Sequence, residues 1–267
     1  MSVDFDPNEI LERTLIELGV NHDGVEPIHG SKTAVYRIVG AGIIAKVSST
    51  FADCLDAEAH NIAALAPFTR RVVRPAEDVP LLVHRNGASV LFTQEIATDG
   101  STPNDSKLAV ELDCFLSEIE CVDVEFPLWT EKYELTSATL RDFEGTTADE
   151  LTALETAFVE PLLERDWKLV PIHGDAYIAN AVPTRDGVIW VDLEDLQFGP
   201  RALAFALLDV SSAPQVDASE LRAFTVYRAW NNAVWDNALA TRAGASVSRA
   251  DASLQRLRAM TNSSGQQ

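Results

Sequence analysis

The sequence predicts an α+β fold in two lobes: a small antiparallel β-sheet lobe over 1–96, then a mainly helical lobe over 97–267. Three observations predict it. Short β-branched runs joined by glycine-bearing turns crowd the first third of the chain. Thr98-Asp99-Gly100-Ser101-Thr102-Pro103 then makes a turn-rich break. Beyond it the apolar residues recur with helical period, except in one β-rich island over 169–193. Strands followed by helices, not alternating with them, mark α+β.

The chain has 267 residues, enough for one large domain or two coupled lobes. Its 21 Lys+Arg against 41 Asp+Glu give a formal charge of −20. A surface that negative repels phosphate backbones and anionic lipid, so neither nucleic acid nor a membrane is expected as a partner. The longest apolar runs, such as 202–208, fall far short of the ~20 residues of a membrane span. The acidic residues 1–9 do not resemble a signal peptide. Cys54, Cys114 and Cys121 are odd in number and lack metal spacing. Reduced thiols and a cytoplasmic protein are the expectation.

Each element has its own signal. Ile10, Leu11, Leu15 and Leu18 fall at helical spacing over 8–18, and Gly19 stops the helix. The runs 35–39 and 43–47 flank Gly40-Ala41-Gly42, a hairpin that sets Lys46 opposite Tyr36. A helix is expected over 51–65. Strands are expected over 72–83 and 89–96, with Arg85-Asn86-Gly87 as the turn. Helices are expected over 107–121, 147–165, 201–210 and 218–240. From about 261 the tail, rich in Thr, Asn, Ser, Gly and Gln, is expected to be disordered.

The chemistry concentrates in the β-rich island, which contains Ile172-His173-Gly174-Asp175, then Asn180, then Val191-Asp192. The runs 178–182 and 188–193 flank Arg185-Asp186-Gly187. A three-residue hairpin loop there sets Asn180 opposite Asp192 and Val182 opposite Trp190. Alternation then buries Ala181, Ile189, Val191 and Leu193 on the other face. An amide oxygen and a carboxylate meeting on one face suit Mg²⁺, which completes its shell with water and substrate phosphate. Asp175, in the loop before the hairpin, is placed to take a proton from a nucleophile in front of that metal. His173 is expected to be structural, fixing the loop, since geometry favours Asp175 as the base.

His-Gly-Asp-x-x-x-x-Asn followed by Val-Asp-Leu-Glu-Asp resembles the aminoglycoside phosphotransferase family, which includes choline, homoserine, maltose and fructosamine kinases. The resemblance covers roughly 25–210 and implies a protein-kinase-like fold with ATP or GTP and Mg²⁺ bound between the lobes. It implies Asp175 as catalytic base and Asn180 and Asp192 as metal ligands. The segment from His29 to Tyr36 resembles the nucleotide-covering loop, with Gly30 and Ser31 at the phosphates. Lys46 resembles the third-strand lysine that contacts the α- and β-phosphates, and Glu58 the glutamate that pairs with it. Gln94 and Ile96 stand where the backbone meets the adenine.

Two positions depart from the family's pattern. Ile119-Glu120 stands where Leu-His is frequent, and Ala204 stands where an aspartate is frequent after Gly199-Pro200-Arg201. They motivate an alternative, a catalytically weak or dead nucleotide-binding protein. The expected partner is a small-molecule hydroxyl acceptor. Residues 101–170 carry 17 acidic and 5 basic side chains, which favours a cationic acceptor over a neutral metabolite such as a sugar. Glu118, Asp123, Glu125, Asp142 and Glu144 are candidates to contact it.

Overall fold

A computed structural model describes residues 6–28, 33–243 and 247–264. The chain forms two compact units. One takes in the residues up to Asn104, Ser117–Val124 and Ile178–Leu196; the other takes in Asp105–Leu116, Glu125–Tyr177 and the residues from Gln197 onward. The expected division at 96 gave the first lobe one continuous run of chain. Two later segments fold with it instead, because they bond to its backbone and side chains. Trp190 N–H donates to the Arg71 carbonyl at 2.7 Å, and Arg71 Nε donates to Glu118 Oε1 at 2.8 Å.

The first unit opens with α1 (Pro7–Leu18), capped by Asp6 Oδ1 and ended by Gly19 at φ 69°. A sheet of five strands follows among the described residues. These are β1 (Gly24–Ile28), β2 (Ala34–Val39), β3 (Ile43–Ser48), β4 (Leu82–Arg85) and β5 (Ala88–Gln94), in the order β1-β2-β3-β5-β4. All its pairings are antiparallel. Leu11 and Leu15 of α1 pack on Tyr36, Ile38, Ala45, Val47, Val90 and Phe92. Burying that apolar face is the unit's main driving force.

Helix α2 (Ala52–Leu65) runs between β3 and β4. Two expectations need correction. Lys46 pairs with Val35, not Tyr36, because the closing pair of the hairpin is Ile38 with Ile43, which leaves four residues between the paired positions. The stretch 72–81 is not a strand; Pro75 and Pro80 lack the N–H a ladder needs, and only isolated bridges from Val72 and Pro75 form there. The Asn86-Gly87 turn has φ of 50° and 78°, the two positive values of a tight hairpin.

The second unit is mainly helical. It contains α4 (Trp129–Arg141), α5 (Thr146–Leu154), α6 (Glu160–Leu163), α7 (Arg201–Phe205), α8 (Ala218–Ala243) and α9 (Val247–Ser264), and α3 (Asp105–Ile119) enters it through its first twelve residues. Strands β6 (Leu169–Ile172) and β9 (Gln197–Pro200) pair within it. Trp129 packs edge to face on Phe224 and Tyr227, with centroids 5.7 and 5.5 Å apart.

The helix expected over 147–165 is broken by a π turn, Glu155–Val159. Pro161 causes the break, since its ring displaces the carbonyl four residues back. The segment expected over 201–210 is helical only through Phe205. The expected disorder from 261 also needs correction. Thr261 Oγ1 donates to the Leu257 carbonyl and the helix continues to Ser264. Among the described residues no helix is long and apolar enough to cross a membrane.

Candidate active site

In the first unit, three charged side chains meet. Ala45 and Val47 face the core under α1, so strand alternation turns Lys46 to the opposite face. There its Nζ lies 2.8 Å from both carboxylate oxygens of Glu58 and 2.8 Å from Asp192 Oδ1. Glu58 sits in the apolar stripe of α2, among Leu55, Ala59 and Ile62, and is 1% exposed. A charge buried there persists because the ammonium compensates it. Burial pulls the Lys46 pKa down, but Glu58 and Asp192 outweigh it and hold the ammonium above lysine's ordinary value. Burial pushes the Glu58 carboxyl up, and Lys46 opposes that shift. Lys46 is therefore a fixed cation with a part-exposed carboxylate, Asp192, beside it.

Asp192 owes its place to strands β7 (Ala181–Thr184) and β8 (Gly187–Trp190). Their register differs by one residue from the expected one. Thr184 pairs with Gly187 and Ala181 with Trp190. Thr184 Oγ1 donates to the Gly187 carbonyl at 2.9 Å and accepts from Asp186 N, which tightens the connection to Arg185-Asp186. Asn180 therefore does not lie opposite Asp192. It lies opposite Val191, whose N–H donates to the Asn180 carbonyl at 3.0 Å. Ala181 and Leu193 are buried as expected, but on β8 the alternation reverses: Val188 and Trp190 are buried, while Ile189 and Val191 are half-buried.

Asn180 ends a short 3₁₀ turn, Ile178–Asn180, and is buried. Asp192 adopts the left-handed conformation, φ 61° and ψ 53°, which an aspartate tolerates at some cost in strain. Asn61, one turn along α2 from Glu58, donates to the Leu193 carbonyl at 2.7 Å and pins the turn that follows Asp192. Sequence reasoning missed Asn61; its spacing of three from Glu58 on one helix face was the available signal. The Asn180 amide oxygen and the Asp192 carboxylate are each hard oxygen donors of the kind Mg²⁺ takes.

Gln94 ends β5. Glu95 N–H donates to the Gly42 carbonyl, so Ile43 and Gln94 form a non-hydrogen-bonded pair. The backbone of Gln94 thus turns away from β3, and its N–H takes the Arg74 carbonyl at 2.9 Å. Ile96 lies two residues beyond the strand and is half-buried. Gly30 and Ser31 lie outside the described residues.

In the second unit, Asp175 follows β6. Gly174 turns the chain at φ 64°, and Asp175 N–H donates to the His173 carbonyl at 2.6 Å. A side chain at 174 would be strained, which explains glycine in the middle of the motif. His173 is fully buried, edge-on to Phe115 with centroids 6.4 Å apart, and its Nδ1 lies 3.4 Å from Asp175 N. Arg228 of α8, 4% exposed, donates from Nη2 to Asp175 Oδ1 at 2.9 Å. Nothing in the local sequence pointed to Arg228, which lies 53 positions away. Ala204 is buried in α7 and carries no polar group.

No family model and no curated protein matches this sequence. Solved structures match its fold over nearly the whole chain. A mutant of aminoglycoside 2'-phosphotransferase-IIIa, solved with GDP, superposes with a TM-score of 0.72 at 14% identity, covering 98% of this chain and 99% of that one. Amicoumacin kinase hAmiN, solved with AMP-PNP, Ca²⁺ and its substrate, gives 0.73 at 11% identity, covering 97% and 94%. Choline kinase LicA from Streptococcus pneumoniae gives 0.70 at 13%, covering 96% and 99%. The expected two-lobed, protein-kinase-like α+β fold is therefore the one the chain adopts.

Proposed function

We propose that this protein is a small-molecule kinase that transfers the γ-phosphate of ATP or GTP to a hydroxyl group. One observation carries the reading. Lys46, Glu58 and Asp192 converge with 2.8 Å contacts although Asp192 lies 146 positions from Lys46. A lysine held by a helix carboxylate beside a second, part-exposed carboxylate is the arrangement that binds nucleotide phosphates with a metal ion. The fold shared with nucleotide-bound phosphotransferases supports it.

Lys46 pairs with the α- and β-phosphates, and Glu58 fixes its direction. Asn180 and Asp192 would hold Mg²⁺, which when bound would neutralise charge on the phosphates. Gly30 and Ser31 cover the phosphates, and the backbone of Gln94 and Ile96 takes the adenine. Asp175 accepts a hydrogen bond from the acceptor hydroxyl and receives its proton as the oxygen bonds to the γ-phosphorus and the bond to the leaving diphosphate breaks. Most of the acceleration comes from positioning and charge neutralisation, since the transition state is loose.

The acceptor is cationic. Glu125, Asp142 and Glu144 are exposed in the second unit, in an acidic stretch that raises the local concentration of an amine. Glu118 leaves the list of candidate contacts, because Thr69 and Arg71 already engage it. Asp123 leaves it too, as part of the first unit.

Melting the protein with and without millimolar Mg²⁺ and ATP or GTP tests the nucleotide site; ligand binding to the folded state must raise Tm. A panel of hydroxylated acceptors assayed for ADP release tests transfer. Asp175→Asn should lower kcat at least ~100-fold with nucleotide affinity intact, while Asp192→Ala should weaken Mg-nucleotide binding. Equal behaviour of the two variants refutes this division of roles. A second reading, nucleotide binding without transfer, draws on Glu120 and Ala204. It predicts a Tm shift but no ATP turnover sensitive to Asp175→Ala.

A further inference from the structure

Helices α8 and α9, with the residues just after α7, line a cavity of about 60 Å³ inside the second unit. Its polar lining is Thr225, Arg228, Asn232, Ser253 and Arg256. The hydroxyls are engaged elsewhere: Thr225 donates to the Leu221 carbonyl and Ser253 to Asp236. The nitrogen donors are engaged only in part: Arg228 Nη2 donates to Asp175 Oδ1 at 2.9 Å. Arg228 is buried, and its Nε has no hydrogen-bond partner among the described residues. Among those residues Arg256 forms no ion pair, and the Asn232 amide forms no hydrogen bond. No acidic residue is part of the lining. In a chain of net charge −20, two guanidinium groups meet at this cavity, and among the described residues only one of them, Arg228, is paired with a carboxylate, that of Asp175. A cavity lined by guanidinium and amide N–H donors is complementary to an oxyanion.

We propose that this cavity is an oxyanion subsite that takes one carboxylate or phosphate group on Arg228 and Arg256, with Asn232 as a further donor. The cavity has room for such a group. Arg228 also links the subsite to the catalytic loop. Its Nη2 holds Asp175 Oδ1 while its Nε remains for the anion, so one guanidinium serves both. The group is either a free ion or part of the acceptor; the second case rests on the kinase reading. A hydroxylated amino acid would satisfy both this subsite and the acidic stretch of the same unit.

The test is equilibrium binding to the full chain, without nucleotide, at constant ionic strength set by chloride. Inorganic phosphate and short hydroxycarboxylic acids are titrated separately by calorimetry and by melting temperature. Saturable millimolar or tighter binding is expected from at least one. Phosphate binding identifies a free ion, and binding by hydroxycarboxylates alone identifies a group carried by the acceptor. Arg256→Ala changes an exposed side chain and leaves the Arg228–Asp175 pair in place; it should weaken binding at least tenfold. Absence of binding by both probes, or binding that Arg256→Ala leaves unchanged, overturns the proposal. Anion binding in a protein whose Tm ignores Mg-nucleotide would retain the subsite and remove the kinase reading.

Discussion

Glu58 is an acid placed by helical spacing in a row of apolar side chains, and a single ammonium keeps it there. The pair yields a testable asymmetry. Lys46→Met leaves a buried carboxylate without its cation and should cost about 3 kcal/mol of stability, read from urea unfolding. The deficit should shrink in acid. Burial already raises the folded-state pKa of Glu58, and losing Lys46 raises it further, so the penalty fades as pH falls from that raised value and is gone once pH is below the ordinary carboxylate value of the unfolded chain. Adding Glu58→Leu should recover most of the loss while nucleotide binding stays absent. If the double variant is as unstable as the single one, the carboxylate is not the source of the penalty. Asp192 was legible as a candidate site residue because Val-Asp follows a strand. Its left-handed backbone was not legible, since an aspartate adopts that conformation only where surrounding contacts enforce it.

Helix α2 acts on two charges at once. Glu58 reaches back to β3, and Asn61, one turn further on, holds the turn after Asp192. Asn61→Ala should therefore weaken Mg-nucleotide binding several-fold, although Asn61 is not expected to touch nucleotide. It should also cost about 1–2 kcal/mol through the unpaired Leu193 carbonyl. Unchanged affinity with lowered stability would limit Asn61 to packing. At this scale the sequence was read well for α1, α2 and β5, where period and punctuation agree. It was read poorly where local rules compete. Helix α4 follows Pro127 and carries Thr130, Thr136 and Thr139, whose weak helix propensity hides it, yet Thr136 and Thr139 settle into the helix by bonding the carbonyls four residues back. Both hairpin registers were off by one residue. Loop length sets register, and it depends on contacts such as that of Thr184 with Gly187, which no periodicity reports.

Across the whole molecule, a charge of −20 opposes compaction through self-repulsion, and added salt screens it over about a Debye length. Tm should rise between about 20 and 300 mM salt. Over the same range KM for a cationic acceptor should rise steeply; a flat KM would leave the acidic stretch a solvated surface. The sequence by itself determined the two-lobed α+β fold, the order of the motif residues and the chemistry each can perform, because hydrophobic period, turn residues and side-chain type are local properties. Tertiary structure alone decided that residues 178–196 fold with the first unit, that Lys46 meets Asp192 as well as Glu58, and that Arg228 holds Asp175. These contacts join positions 12 to 146 residues apart, and which of many compatible charges meet is fixed only when the cores around them are buried.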